Sequence, residues 1–162
     1  MAKAVLISIR PEWCKKIASG QKTIEVRKTR PKIETPFKCY IYCTEGKLND
    51  DLWLRRKGYV DKICNGKVIG EFVCDGVLSH CESSNADLAE QQGCIRREKL
   101  FEYSQGRELY GWHISDLVIY DKPKELSDFC TGSSVFTFDD EGNQVYTGMK
   151  RPPQSWCYVT YI

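Results

Sequence analysis

The sequence predicts a mainly β fold with α insertions, a small and partly closed β-barrel carrying short helices. Roughly five to seven short stretches have strand composition, and several alternate apolar with polar side chains. Tight-turn signals separate them, and only a few windows have helical spacing. The 162 residues are 12% aromatic and 28% charged, which suits a folded chain with a real core. No repeat, low-complexity segment or linker divides them, so residues 1–162 read as one domain.

The elements follow in order. AVLISI (residues 4–9) is an apolar strand. PEWCKKIASG (11–20) is a short helix with Pro11 in its first turn, Lys15 and Lys16 late, and Gly20 as its stop. Trp13 and Ile17, four apart, put one face inward. In KTIEVRK (22–28), Ile24 and Val26 point to the core, while Thr23, Glu25 and Arg27 point the other way. FKCYIYCT (37–44) is a second core strand. KLNDDLWLRRKGYVDKI (47–63) is ambiguous, with a covering turn of helix as one reading. Asn65-Gly66 marks a tight hairpin into KVIGEFVCDGVL (67–78), where Gly70 signals a bulge or a close approach. Residues 83–106 have helical composition, with Ser84 or Asn85 as cap and Gly106 as stop. YGWHISDLVIYDKP (110–123) is a strand whose ladder Pro123 interrupts. SSVFTFDDEGNQVYTG (133–148) is a hairpin turning near Gly142, and WCYVTYI (156–162) closes the chain with Trp156 and Tyr158 on one face.

Charge is unevenly spread. Residues 1–38 hold ten Lys/Arg against three Asp/Glu, a balance of +7, whereas the rest of the chain balances at −5. A basic surface at that end suits a polyanionic or phosphorylated partner; the plainer alternative is a solvated basic face. The nine scattered cysteines fit buried thiols in a reducing compartment better than a disulfide framework. Cys39, Ile41 and Cys43 share one strand face and read as core, so no metal site is expected. The start lacks a secretory leader and no apolar run spans a membrane, which predicts a cytoplasmic chain with no membrane partner.

Four blocks then carry a resemblance. SIRPEW…KIASGQKTIEVRK, GKVIGEF, YGWHISDLVIYDKP and RPPQSWCYV, in that order, resemble the ASCH domains, relatives of the PUA fold. The signature G-x-K-x-x-E-x-R is present as Gly20, Lys22, Glu25 and Arg27. The resemblance covers most of the chain and leaves family-variable insertions near 76–108 and 131–147. It implies a PUA-like barrel that binds RNA or a nucleotide, in a cleft beside the first helix with the signature's polar residues on its floor. Some small members are enzymes: one group hydrolyses the acetyl amide of N4-acetylcytidine with a Lys, a Thr and a Glu, and another member is a ribonuclease. The catalytic Lys falls on Lys22. The Thr falls on Glu25, which has no hydroxyl and could serve only as a general base toward water. The Glu matches Glu71 by strand position.

The ligand-binding candidates are Ser8, Arg10, Lys22, Glu25, Arg27, Gln154, Ser155 and Trp156. Lys22 and Arg27 suit a phosphate or a base carbonyl; otherwise they form a surface ion pair with Glu25. Glu25 either accepts from a base amino group or fixes Lys22 and Arg27. Ser8 and Arg10 end the first strand where helical N–H groups can meet an anion, although Arg10 also reads as a solvated residue before Pro11. Trp112 reads as core. Trp156 either stacks on a base or packs inside, and Gln154 and Ser155 either read base edges or satisfy a strand end. His113 and His80 lack a nucleophile in a matching motif, and no phosphate-cradling loop is present. The first functional reading is therefore an RNA- or nucleotide-binding module without a cofactor. The alternative is a hydrolase of a modified pyrimidine nucleoside or of RNA, with Lys22 and Glu25 as its catalytic pair. The 83–106 segment offers little to a protein–protein adaptor, and nothing in the sequence sets an oligomeric state.

Overall fold

The long apolar runs form the centre of one sheet. In the computed structural model, which describes residues 3–46, 53–56, 59–132 and 136–162, seven strands are ordered β2-β7-β6-β3-β1-β11-β8. These are β1 (Ala4–Ile9), β2 (Ile24–Arg27), β3 (Phe37–Cys43), β6 (Val68–Leu78), β7 (Tyr110–Lys124), β8 (Phe129–Cys130) and β11 (Trp156–Tyr161). Strands β1 and β3 pair in parallel, and the other pairs in this sheet are antiparallel. Two further pairs stand apart: β4 (Trp53–Arg56) with β5 (Tyr59–Ile63), and β9 (Phe136–Phe138) with β10 (Gln144–Tyr146). Among the described residues there are also three short α-helices, α1 (Pro11–Ala18), α2 (Ala86–Gly93) and α3 (Arg97–Ser104), and one turn of 3-10 helix at Leu126–Asp128.

Alternation explains which side each residue takes. Val5, Ile7 and Ile9 of β1 join Cys39, Ile41 and Cys43 of β3, Phe72 of β6 and Trp112 of β7 in the largest core cluster. The intervening Leu6, Tyr40 and Tyr42 face the opposite side, with Val68, Phe129 and Val159. Both faces of β1 and β3 are thus covered, which is why their sequences read as near-continuous apolar runs. The core also takes in seven of the nine cysteine side chains.

The main-chain ladder starts at β2 and stops at β8, so hydrogen-bonded strands do not close the expected barrel. Side chains bridge the gap instead. Trp156 Nε1 donates to Thr29 Oγ1 at 2.9 Å, the Lys32 N–H donates to the Tyr158 hydroxyl at 2.9 Å, and the Trp112 and Trp156 rings meet edge-on at 5.8 Å. The segment after β2 is thereby drawn back onto β11.

Four expectations are corrected. The 47–63 window carries no helix among its described residues: its backbone pairs Trp53 with Ile63 and Leu54 with Lys62, and cross-strand pairing outweighs weak helical spacing. The Asn65-Gly66 turn is present, with Gly66 at φ +76°, but β5 and β6 do not pair with each other; the turn carries the chain from one sheet to another. Residues 83–106 form two helices. Cys94 adopts φ +55° after α2, and the Glu90 carboxylate accepts from the Arg97 N–H at 2.5 Å as α3 begins. Asn85, at the α2 N-cap position, gives its side chain to Ser79 O rather than to the helix. Pro123 lies within β7, not at a break. By then β7 has passed β2, whose ladder covers Tyr110–His113, so β7 is an edge strand at Pro123, where a proline is tolerated.

Strand β2 holds the decisive local feature. Its apolar side chains, Ile24 and Val26, do alternate with Glu25 and Arg27, but they do not face the main core. They pack in a third cluster with Ala89 of α2, Leu100 of α3 and Leu109. The charged side therefore turns toward β1 and the segment before β11.

Candidate functional site

The three signature side chains are buried together. Lys22, Glu25 and Arg27 retain only 4%, 5% and 9% exposure. Glu25 Oε1 accepts from Arg27 Nε at 3.1 Å and lies 3.0 Å from Arg27 Nη2, and Glu25 Oε2 lies 3.4 Å from Lys22 Nζ. The alternative of a surface ion pair fails, because helices α2 and α3 cover one side of β2 and the curled sheet covers the other. Arg27 also ties β2 to its neighbours: Nη2 donates to Ser8 O at 2.6 Å and Nη1 to Ser155 Oγ at 3.2 Å. Lys22 Nζ donates to Gly93 O at 2.6 Å, a carbonyl at the C-terminal end of α2, and lies 4.9 Å from the centre of the Trp13 ring. Glu25 Oε2 is a buried polar atom without a hydrogen-bond partner.

This row lines a cleft of about 680 Å³. Ser8, Arg10 and Gln154 line it as well. Ser8 is partly committed, since its hydroxyl donates to Pro153 O at 2.7 Å. Ser155 stands behind Arg27 as its acceptor. Trp156 is not on the cleft wall; it packs against Trp112 and Tyr158 with its indole N–H on Thr29. Trp112 is fully buried.

Sequence reasoning missed one wall. Lys99, Glu102 and Tyr103 of α3 line the cleft, as does Trp13 of α1. Their spacing of three and four residues places them on one helix face, a signal readable only once α3 is known to pack on β2. Leu100, fully buried, anchors that helix. Lys28 Nζ sits 4.8 Å from the Tyr103 ring centre and donates to Gln105 Oε1 at 3.3 Å. Burial raises the Tyr103 phenol above its usual value, with Arg27 nearby opposing and Glu25 adding to the rise.

Other reactive groups lie elsewhere. Burial pushes the Cys14 thiol well up, and the Cys43 thiol beside it adds to the rise, so Cys14 is no ready nucleophile. His113 Nδ1 and Asp75 Oδ1 pair at 2.6 Å at the surface. Among the described residues no group of three or more His, Cys, Asp or Glu gathers as metal ligands would, and no helix is long and apolar enough to cross a membrane.

Glu71, matched to a catalytic carboxylate by strand position, does not line the cleft. Its carboxylate accepts from the Tyr120 hydroxyl at 2.6 Å and pairs with Lys38 at 3.1 Å. Desolvation raises its pKa, but the Tyr120 and Lys38 hydrogen bonds outweigh that and hold it below the ordinary 4.5. A carboxyl depressed in the folded state adds stability above its unfolded pKa and loses it as pH falls through the folded one. Glu71→Gln is therefore expected to flatten the loss of stability below about pH 4.5. Urea midpoints measured from pH 3 to 7 check this, and an unchanged acid limb refutes it.

The sequence and the fold agree with known proteins. The model of the ASCH domain matches residues 7–159. Among solved structures, a serine-to-alanine mutant of the ASCH protein from Zymomonas mobilis superposes with a TM-score of 0.64 at 18% identity, covering 99% of this chain and 88% of that one. The unmutated Zymomonas mobilis ASCH protein gives 0.58 at 17% identity, covering 99% and 87%. No curated protein matches the chain.

Proposed function

The chain belongs to the ASCH domain family, and from that premise we propose that it binds RNA or a nucleotide in the cleft between α1, β2 and α3. One observation carries the reading: a buried row of Lys22, Glu25 and Arg27 floors a cleft lined by the exposed cations Arg10, Lys28 and Lys99. A ligand that is planar at one end and anionic at the other matches those surfaces. Trp13 and Tyr103 present aromatic area, the cations meet phosphate, and the volume lies in the range of small-ligand sites. In this reading the curl of the sheet is a PUA-like partial barrel, and Arg27, on the cleft floor, reaches across to Ser8 and Ser155.

Fluorescence anisotropy with a short single-stranded RNA tests the proposal. The logarithm of the affinity is expected to fall linearly with log salt, and Arg10→Ala combined with Lys28→Ala should lower the slope by roughly 0.7 per phosphate contact removed. Absence of binding to RNA and to every nucleotide at low salt overturns it. The hydrolase alternative draws on the contact between Lys22 and Glu25. Incubation with N4-acetylcytidine and with labelled RNA reads it directly, since product lost on Glu25→Ala favours catalysis and binding without product favours the module.

A further inference from the structure

We propose that the cleft takes a nucleotide base-first. Glu25 Oε2 on the floor accepts a hydrogen bond from an amino N–H on the base edge, and Arg10, Lys28 and Lys99 meet the phosphate. This rests on the nucleotide reading of the cleft and adds an orientation to it.

Counting donors decides which end enters. A guanidinium has five N–H groups. Those of Arg27 are met by Glu25 Oε1, contacted by both Nε and Nη2, by Ser8 O, and by Ser155 through its hydroxyl at 3.2 Å and its carbonyl at 3.5 Å. No Arg27 donor is left for a phosphate. Lys22 has three N–H groups; one is on Gly93 O, and the ammonium lies 3.4 Å from Glu25 Oε2 as an ion pair without a hydrogen bond. Arg27 is thus fully committed within the protein and Lys22 is charge-paired with Glu25, so a phosphate pushed between them would face a carboxylate.

The unsatisfied group on the floor is an acceptor. Oε1 of Glu25 is saturated by Arg27, while Oε2, on a residue that keeps 5% exposure, is ion-paired with Lys22 at 3.4 Å but has no hydrogen-bond partner. A buried acceptor in that state calls for a donor, and a neutral N–H supplies one without adding charge. Beside it, a remaining Lys22 N–H can serve an acceptor on the same edge. An amino group next to a ring nitrogen, as on adenine and cytosine, offers that donor–acceptor pair. The cations not tied into the floor network line the cleft with their side chains exposed. Among the described residues, Lys28 and Lys99 contact Gln105, Tyr103 and Glu102, contacts that a phosphate can displace or share.

Calorimetry on the full chain tests this with adenosine and cytidine 5′-monophosphates, their dimethylated forms blocked at the exocyclic nitrogen, and ribose 5-phosphate. At least one parent nucleotide is expected to bind, its dimethylated form about tenfold or more weaker, and ribose 5-phosphate weaker still. Arg10→Ala with Lys28→Ala should weaken the nucleotide but not the matching nucleoside. Glu25→Gln should bring parent and dimethylated affinities together, and because the comparison on the unmutated protein needs no variant, a folding defect in Glu25→Gln leaves it standing. Equal affinity for ribose 5-phosphate and nucleotide, or for parent and dimethylated base, overturns the orientation while leaving a nucleotide site. RNA binding with neither mononucleotide bound overturns the base-first pocket alone. If neither RNA nor any nucleotide binds, the cleft reading falls with it.

Discussion

Arg27→Ala is expected to destabilise the protein by about 3–5 kcal/mol, because it removes one partner of a buried ion pair and leaves the other charged. For a chain of this size that is a fall in Tm of roughly 6–20 °C. Glu25 would keep only Lys22 at 3.4 Å, and the carbonyl of Ser8 and the hydroxyl of Ser155 would lose their donor. The cost comes from desolvated groups left without partners rather than from the attraction itself, so it can be separated from ligand binding. Replacing the whole row by apolar residues of similar volume, Lys22→Met with Glu25→Leu and Arg27→Met, should restore most of the stability. It should not restore binding. Thermal unfolding followed by circular dichroism checks both variants, and an Arg27→Ala protein melting within 2 °C of the unmutated one would show the network to be solvated.

The same network shows how far the sequence could be read. The G-x-K-x-x-E-x-R spacing put Glu25 and Arg27 on one side of a short strand and Ile24 and Val26 on the other, and the strand does alternate in this way. The environment of each side was not legible. Alternation fixes which side chains share a face but not what covers that face. Here α2 and α3 take the apolar face, and the curl of the sheet buries the charged one. Ser8, Arg10 and Gln154 were placed near the row from their positions at strand ends, and they line the cleft with it. Tyr103 and Lys99 escaped notice because residues 83–106 read as one helix of mixed charge. The bend at Cys94, which aims α3 across β2, comes from a non-glycine residue at φ +55° that no spacing rule anticipates. Trp156 illustrates the reverse case. An aromatic beside polar Gln154 and Ser155 left stacking on a base and packing inside both open, and the structure turns it, with Tyr158 on the same face, against Trp112.

Gly70→Ala should have the second large effect, a loss of about 2–3 kcal/mol with a local shift of the β6–β7 ladder. Gly70 sits between Ile41 of β3 and Ile119 of β7, where the register of β6 against β7 shifts. A Cβ built there would overlap the carbonyl oxygen of Val118 and lie 3.2 Å from Ile119 Cα. Ile119 could rotate its side chain away, but the main chain of a central strand has no such freedom. Gly76, on the same strand, has no heavy atom within 4 Å of its built Cβ, so Gly76→Ala should stay within about 1 kcal/mol of the unmutated protein and serves as the control. The consequence reaches the cleft through pairing. Strand β7 holds β2 by Trp112 opposite Glu25 and Tyr110 opposite Arg27, so a shift of β7 would move the charged row relative to Ser8 and Ser155. Urea unfolding combined with nucleotide titration distinguishes the outcomes. Gly70→Ala should lose stability and affinity together, whereas a variant with an unchanged midpoint would mean that β6 and β7 are not in close contact at this point.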